Sequence, residues 1–413
     1  MENKHPELVM VTEWFGHTLT YMRKLWPYFL ERGVKIYHVT NQPDQAARFA
    51  AAEFPAAGGM IEHIGLDQVR PVANRSGDSW LAEVEAYWAG VGATLQKLST
   101  RLGRRPGVFH TWIDLKSHPF LENRVIAEAL PGPTVGLCVH PAELRIYKSR
   151  KRRLYEGLGH LRRYGRFRES RLRAIKVPGL RCLYLLDEML VPQVARLMGP
   201  GIAVRAFPEP VEVAVEELPL PRLCALKAQG FQVVCVVGFL HKRKGILNLI
   251  RTAKMNPKKW AFLFAGPLDH EGLSDTELAE VKDWCAQPPA NCVLQLTSLS
   301  DAQVNSVIRQ SDLVFLAYEN FFHSSNVQIK AAIFDKLIIA GPRHLISERT
   351  QKFQLGWCLA DHSPATLARL LQRLDSSVIA GQQAQANFDG LADEHSVRRL
   401  ETCLAEVSGF LGL

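Results

Sequence analysis

Val237-Gly238-Phe239-Leu240-His241-Lys242-Arg243-Lys244-Gly245-Ile246 is the stretch on which the reading of this chain turns. The run leading into it, 233–239, is apolar and valine-rich, the composition of a strand buried on both faces. From Ile246 onwards apolar residues recur at helical spacing as far as 254, with Gly245 at the opening. Lys242, Arg243 and Lys244 therefore occupy the turn between the carboxyl end of a strand and the N-terminus of a helix. Three cations beside unsatisfied helix N–H groups suit an anion such as a diphosphate. A solvated surface turn is the competing reading, because lysine and arginine favour any exposed loop.

The alternation extends outward from this point. Downstream, strands are expected at 260–265, 292–295, 313–317 and 337–340, with helices at 276–287, 301–310 and 326–334 between them. Upstream, strands are expected at 8–11, 34–40, 107–112, 134–140 and 182–186, and helices at 18–32, 80–102 and 119–130. Strands separated by helices pair in parallel, because a parallel crossover needs a long connection. Phe207-Pro208-Glu209-Pro210-Val211 and the prolines up to 221 interrupt the pattern, since proline continues neither a helix nor a central strand. The expected architecture is α/β with two doubly wound, Rossmann-like domains facing across a cleft. Their bounds are 1–207 and 223–395, joined by a Pro-rich linker at 208–222. A C-terminal helix at 396–413, with Val397, Leu400, Leu404 and Val407 on one face, is expected to pack back towards the first domain.

A second run stands out after the strand at 313–317: Tyr318-Glu319-Asn320-Phe321-Phe322-His323-Ser324-Ser325-Asn326. Ser324 and Ser325 are favourable N-cap residues for the helix that follows. Capping occupies one serine and leaves the other. Two helix N-termini on adjacent strand ends make a better phosphate cradle than either alone.

The 413 residues are 47% apolar and 22% charged, a globular composition that sets aside disordered and fibrous readings. No apolar run approaches the ~18–20 residues of a membrane span, and the first residues have no signal-peptide core. A cytoplasmic protein is expected, with association at the inner membrane face as an option. The eight cysteines form no Cys-x-x-Cys pair, which argues against a zinc ribbon, a redox motif or a disulfide framework. They read as small core residues. The net charge of +9 is concentrated: 145–181 holds 14 Lys/Arg against two acids, leaving −3 for the rest. Arg150, Lys151, Arg152, Arg153, Arg162, Arg163 and Arg166 form its basic surface, with Tyr147, Leu154, Leu158 and Leu161 interleaved at helical spacing. That pattern suits an anionic membrane surface or a polyanionic acceptor, or else a solvated helix pair. Nucleic acid is not the expected partner, because the aromatics form no stacking platform. The oligomeric state is not legible.

These runs resemble the donor domain of the GT-B glycosyltransferases, in particular the group related to family 4 (glycosyl transferases group 1). Gly238 to Gly245 keeps the glycine, the Lys-Gly and the spacing of that family's Gly-Arg-Leu-x-x-x-Lys-Gly. Phe264-Ala265-Gly266 is similar to its next strand-end glycine, and Ser311-Asp312-Leu313-Val314-Phe315-Leu316 to its following strand. Lys330-Ala331-Ala332-Ile333-Phe334-Asp335-Lys336-Leu337-Ile338-Ile339-Ala340 is similar to the element that usually begins with glutamate. In the first half, Gly16-His17, Val108-Phe109-His110 and 135–140 resemble a glycine turn and two histidine-bearing strands. The departures are local: the family's Glu-x7-Glu positions are Phe322 and Lys330, and its arginine is Phe239. Glu319 and Arg243 are the nearest replacements.

The resemblance implies transfer of a sugar from a nucleotide diphosphate sugar to a glycan, lipid-linked or other acceptor, with retention of configuration. It implies no resident cofactor and no metal, and no Asp-x-Asp occurs in the chain. His140 and Glu319 would then be catalytic. Gly238, Arg243, Lys244, Ser324, Ser325 and Asn326 would hold the donor diphosphate. Gly16, His17, Asp114, His118, Glu143 and Glu188 are further candidates for the acceptor side. Two alternatives stay open: a GT-B-fold sugar-nucleotide epimerase, and a catalytically degenerate binding module tethered through its basic segment.

Overall fold

The computed structural model describes residues 5–14, 18–68, 79–116, 118, 121–138, 172–255 and 259–413. The chain divides into two units, Met1–Phe207 with Leu400–Leu413, and Pro208–Arg399. The basic surface, Arg150 to Arg166, lies outside the described residues, as do Gly16, His17, His140 and Glu143.

The first unit is built on β1 (Glu7–Thr12), β2 (Lys35–Thr40), β3 (Ile61–Gly65), β4 (Gly107–His110), β5 (Thr134–Cys138), β6 (Leu180–Leu185) and β7 (Ala203–Ala206). These pair in parallel in the order β3-β2-β1-β4-β5-β6-β7. The accompanying helices include α1 (Thr18–Leu30), α2 (Pro43–Glu53), α3 (Ser79–Leu102), α4 (Asn123–Ala129) and α5 (Val191–Met198). Leu8, Val9, Met10 and Val11 are buried on both faces of β1, as a strand covered by crossover helices must be. β3 and β7 escape a reading from apolar runs because they are edge strands with half-exposed residues. β4 stops at His110 rather than at 112, since Trp112 takes φ +61, a conformation no strand contains.

The second unit is built on β8 (Gln232–Val237), β9 (Trp260–Ala265), β10 (Cys292–Gln295), β11 (Leu313–Leu316), β12 (Leu337–Ala340) and β13 (Gly356–Cys358). All are parallel, in the order β10-β9-β8-β11-β12-β13. Around them lie α6 (Pro221–Ala228), α7 (Ile246–Lys254), α8 (Asp275–Ala286), α9 (Asp301–Gln310), α10 (Asn326–Ile333), α11 (Leu345–Lys352), α12 (Pro364–Arg373), α13 (Ser376–Gln385) and α14 (Phe388–Glu394). α8 and α9 start with reciprocal capping boxes, Ser274 with Glu277 and Ser300 with Gln303. β8 ends at Val237, two residues short of expectation, because Gly238 turns the chain at φ +90. Gly266, at the end of β9, packs against that turn: a Cβ there would lie 2.3 Å from the Gly238 carbonyl oxygen.

The segment ahead of α6 is held along α9. Asn305 Nδ2 donates to the carbonyls of Glu212 and Ala214, Gln310 Nε2 to that of Leu218, and Gln303 Nε2 to the Glu216 carboxylate. These bonds make 212–218 part of the second unit. At the other terminus, α15 (Val397–Leu411) sends Leu400, Leu404, Val407 and Leu411 into the core around Leu8, Met10 and Phe109. Val397, expected on that face, is exposed at the helix start. The cysteines are free thiols; Cys138, Cys182, Cys235, Cys292 and Cys403 are buried, and Cys224 is exposed.

His38 and His63 face each other across β2 and β3, their Nδ1 atoms 3.1 Å apart, with the Trp26 ring against both. Burial first, then the charge His63 would carry, lowers His38 to about 3. An unfolded histidine titrates near ~6.5, so the unfolded chain takes up the proton first and gains from acidification. The contribution of this pair is complete above about pH 6.5 and is lost as pH falls towards 3. Thermal unfolding followed from pH 7 to pH 5 should show a declining Tm, and His38→Leu should flatten that decline. In the second unit, Gly266→Ala should lower stability in urea by about 2–3 kcal/mol. Gly381→Ala, in α13 with open space around it, should raise stability by about 0.5–1 kcal/mol.

Candidate functional site

In an open parallel sheet, ligands bind beyond the carboxyl ends of the strands, where the winding reverses. In the second unit that point lies between β8 and β11, because the chain winds from β8 through β9 to β10 and then restarts at β11 on the other side. The two loops that leave there are 238–245 and 317–325, the two runs singled out in the sequence. They are bonded to each other. The Glu319 N–H donates to the Arg243 carbonyl at 2.7 Å. The Arg243 guanidinium lies 5.0 Å from the Phe321 ring centroid, and Lys244 Nζ lies 5.6 Å from that of Tyr318. Gly245 allows the approach, since a Cβ there would stand 3.0 Å from the Ala317 oxygen.

Lys244 closes a single 3-10 turn, Lys242–Lys244, and folds back so that Nζ donates to the carbonyl of Val237. Burial, with Arg243 adding to it, lowers its pKa to about 8, while the Cys235 thiol opposes the shift. The ammonium is therefore still charged at neutral pH. Lys242 is engaged elsewhere, 2.7 Å from Glu277 at the start of α8. Arg243 is exposed, with Nη2 3.5 Å from His241 Nε2. His241 is lowered by burial first and then by Arg243 and Lys244. Of the three cations, Arg243 and Lys244 lie against rings of the 317–325 loop, and Lys242 is drawn to α8 instead.

Across the crevice, α10 starts at Asn326, and its first turn presents backbone N–H groups that have no partner within the helix. Ser325 stands at the N-cap but makes no side-chain cap bond. Its hydroxyl faces Tyr318, whose phenol burial pushes up while Ser325 opposes the shift. Ser324 accepts from Arg349 Nη1 at 2.6 Å. Glu319 accepts at Oε1 from Asn248 Nδ2 at 2.7 Å, which orients the carboxylate at the mouth of the loop. Gly238, Arg243, Lys244, Glu319, Ser324, Ser325 and Asn326 are thus all brought to one sheet end.

Phe322 and Lys330, which the resemblance aligns with an acidic pair, are also placed. Phe322 packs edge-on against His344, ring centroids 4.4 Å apart. The Lys330 side chain is 4% exposed, and its Nζ is bonded to Asp301 Oδ1 at 2.6 Å. Lys330 is thereby committed to α9. Arg349 was not singled out beforehand, and Tyr318 was quoted only as the start of its run. The signal for Arg349 was present, because in α11 it follows Leu345 by one helical turn on the buried side.

The first unit has its own winding reversal, between β1 and β4. There Glu13 pairs with Lys116 at 2.5 Å, and the Thr111 hydroxyl donates to Thr12 Oγ1 at 2.9 Å. His110 Nδ1 is 2.7 Å from the Thr111 carbonyl, so it carries the proton, and Nε2 accepts from the Tyr87 hydroxyl at 3.0 Å. Burial lowers His110 to about 4 and keeps the ring neutral. Asp114 is buried in the turn after β4, and His118 is buried with its ring centroid 4.2 Å from that of Trp80. Glu188 opens a short turn after β6, two strands away. Among the described residues no group of three His, Cys, Asp or Glu side chains is placed to hold a metal ion. No helix among them is long and apolar enough to cross a membrane.

No protein-family model and no curated protein matches the chain. Solved structures do. HepE from Anabaena, in complex with UDP, is 13% identical with a TM-score of 0.62, over 98% of this chain and 99% of that one. Sucrose-phosphate synthase from Thermosynechococcus elongatus is 12% identical with a TM-score of 0.62, over 99% of each chain. A glycosyltransferase from Rickettsia africae is 11% identical with a TM-score of 0.57, over 98% and 99%. With two parallel sheets of the same strand order, this likeness establishes the GT-B fold that the sequence resemblance led to expect. Removing the partner of Lys330 tests the role given to that residue. Asp301→Ala should lower stability by about 1–3 kcal/mol in urea unfolding, and adding Lys330→Met should recover most of the loss.

Proposed function

We propose that the chain is a glycosyltransferase that takes a sugar from a nucleotide diphosphate sugar. The observation that carries this reading is the junction of two loops at the winding reversal of the second unit. It places Lys244, Arg243 and the first turn of α10 around one crevice. The reaction breaks the bond from the sugar C1 to the diphosphate and joins C1 to an acceptor oxygen, whose proton leaves to a base. Negative charge grows on the departing diphosphate, and fixed cations and N–H dipoles aimed there stabilise it. Lys244 and Arg243 supply charge, the α10 N-terminus supplies donors, and neither contribution calls for a resident metal or cofactor. Glu319, held by Asn248, is the carboxylate placed to meet the sugar. The HepE structures that share this fold hold UDP and UDP-glucose, which favours a uridine donor. The basic segment at 145–181 supplies the charge for an acidic acceptor or an anionic membrane surface.

A binding module without transfer activity is the second reading. It is favoured by Lys330, which is tied to Asp301 at a position where the resembling family carries glutamate. Both readings share the nucleotide site, so binding and turnover separate them.

Calorimetric titration with UDP, GDP and ADP should find binding to at least one, and Lys244→Ala should weaken it about 10–100-fold. Affinity should fall as pH rises past about 8, where the ammonium is lost. Unchanged affinity in Lys244→Ala would refute the diphosphate role. Release of free sugar or transfer from a panel of nucleotide sugars would establish the enzyme over the binding module.

A further inference from the structure

We propose that Arg349 is a positioning residue of the diphosphate site and acts through the Ser324 hydroxyl. The proposal rests on reading that site as a diphosphate cradle. Arg349 is wholly buried, at 0% exposure, although it carries a charge. A guanidinium has donors and no acceptor, so at 2.6 Å from Ser324 Oγ it must donate and the serine must accept. The one hydroxyl proton of Ser324 is then directed elsewhere. Ser324 is partly exposed and stands immediately before the N-cap of α10. A free serine rotates its proton towards any acceptor; Arg349 fills one side and leaves the proton for an anion arriving at the helix N-terminus.

The supporting frame is rigid where this role requires it. Gln328 of α10 donates to the Ile346 carbonyl at 2.8 Å and lies 3.2 Å from Thr350 Oγ1, which ties α10 to α11. The Ser347 hydroxyl lies within 2.9 Å of the carbonyls of Gly341 and Arg343, which fixes the start of α11 to the end of β12. Arg349 is therefore held at constant distance from the first turn of α10. A role in packing alone would leave ligand affinity untouched once the fold is intact.

The test uses the full chain and whichever of UDP, GDP and ADP binds the wild-type protein most tightly. Ser324→Ala and Arg349→Lys should each weaken binding about tenfold. The double variant should be no more than about twofold weaker than Ser324→Ala, because Arg349 works through that hydroxyl. Independent losses that multiply in the double variant would overturn the proposal, and so would a Ser324→Ala protein that binds like wild type. Thermal unfolding of each variant accompanies the titrations, and if Arg349→Lys does not fold, Arg349→Gln takes its place in the comparison with the double variant. Loss of binding in Lys244→Ala with wild-type affinity in the Ser324 and Arg349 variants strikes this inference and spares the diphosphate reading. Absence of nucleotide binding, or an unaffected Lys244→Ala, removes the diphosphate reading and this inference with it.

Discussion

Reversal of winding direction is the constraint from which the candidate site follows. Right-handed crossovers place consecutive helices on the same face as long as the chain moves one way along a sheet. At β8 and β11 the direction changes, so the connections from two adjacent strands leave to opposite faces and separate. The space that opens is bounded by backbone, which explains why the approach of the two loops depends on Gly245 and on a main-chain bond from Glu319 to Arg243. Side chains then decorate a crevice that topology has already made. The first unit repeats the order at β1 and β4, and its buried His110–Tyr87 pair lies there as well.

Much of this was legible in the residues, for identifiable reasons. β8, β9, β11 and β12 are buried on both faces, so each is a continuous apolar run and its helix partner is amphipathic. Of the edge strands β10 was legible, whereas β3, β7 and β13 were not. β3 and β13 have half-exposed residues throughout, and α13 has no buried residue at all, so no periodicity marks them. Ends of elements were misread where one residue turns the chain, as at Gly238 and Trp112. At the site, cations and serines could be picked out by spacing, but which of them face the crevice could not. Lys242 and Lys244 are two residues apart in one turn, yet one reaches Glu277 and the other folds over Val237. Partner choice of that kind depends on neighbours distant in sequence.

The distribution of charge across the crevice is lopsided. Among the described residues Arg243, Lys244 and the α10 N-terminus come together at the two loops, where Glu319 is held by Asn248 and Glu277 is taken up by Lys242. At the two positions that the resemblance aligns with acids, Phe322 makes an aromatic contact with His344, and Lys330 is bonded to Asp301 of α9. Both replacements are absorbed into packing, so neither leaves an unpaired charge facing a ligand.

A cradle of this kind gains by having its donors fixed before the anion arrives, since little then needs reorganising as charge develops. Three devices here do that work with interior groups: Val237 holds Lys244, Asn248 holds Glu319, and Arg349 holds Ser324. Each spends a strong bond on orientation. The Lys244 bond also keeps a cation half-buried at reduced pKa, so an approaching phosphate would compete with one carbonyl oxygen and gain a more weakly hydrated ammonium. On the proposed reading, donors fixed in this way bind the departing diphosphate, as its negative charge grows, more strongly than the intact donor, and that difference lowers the barrier.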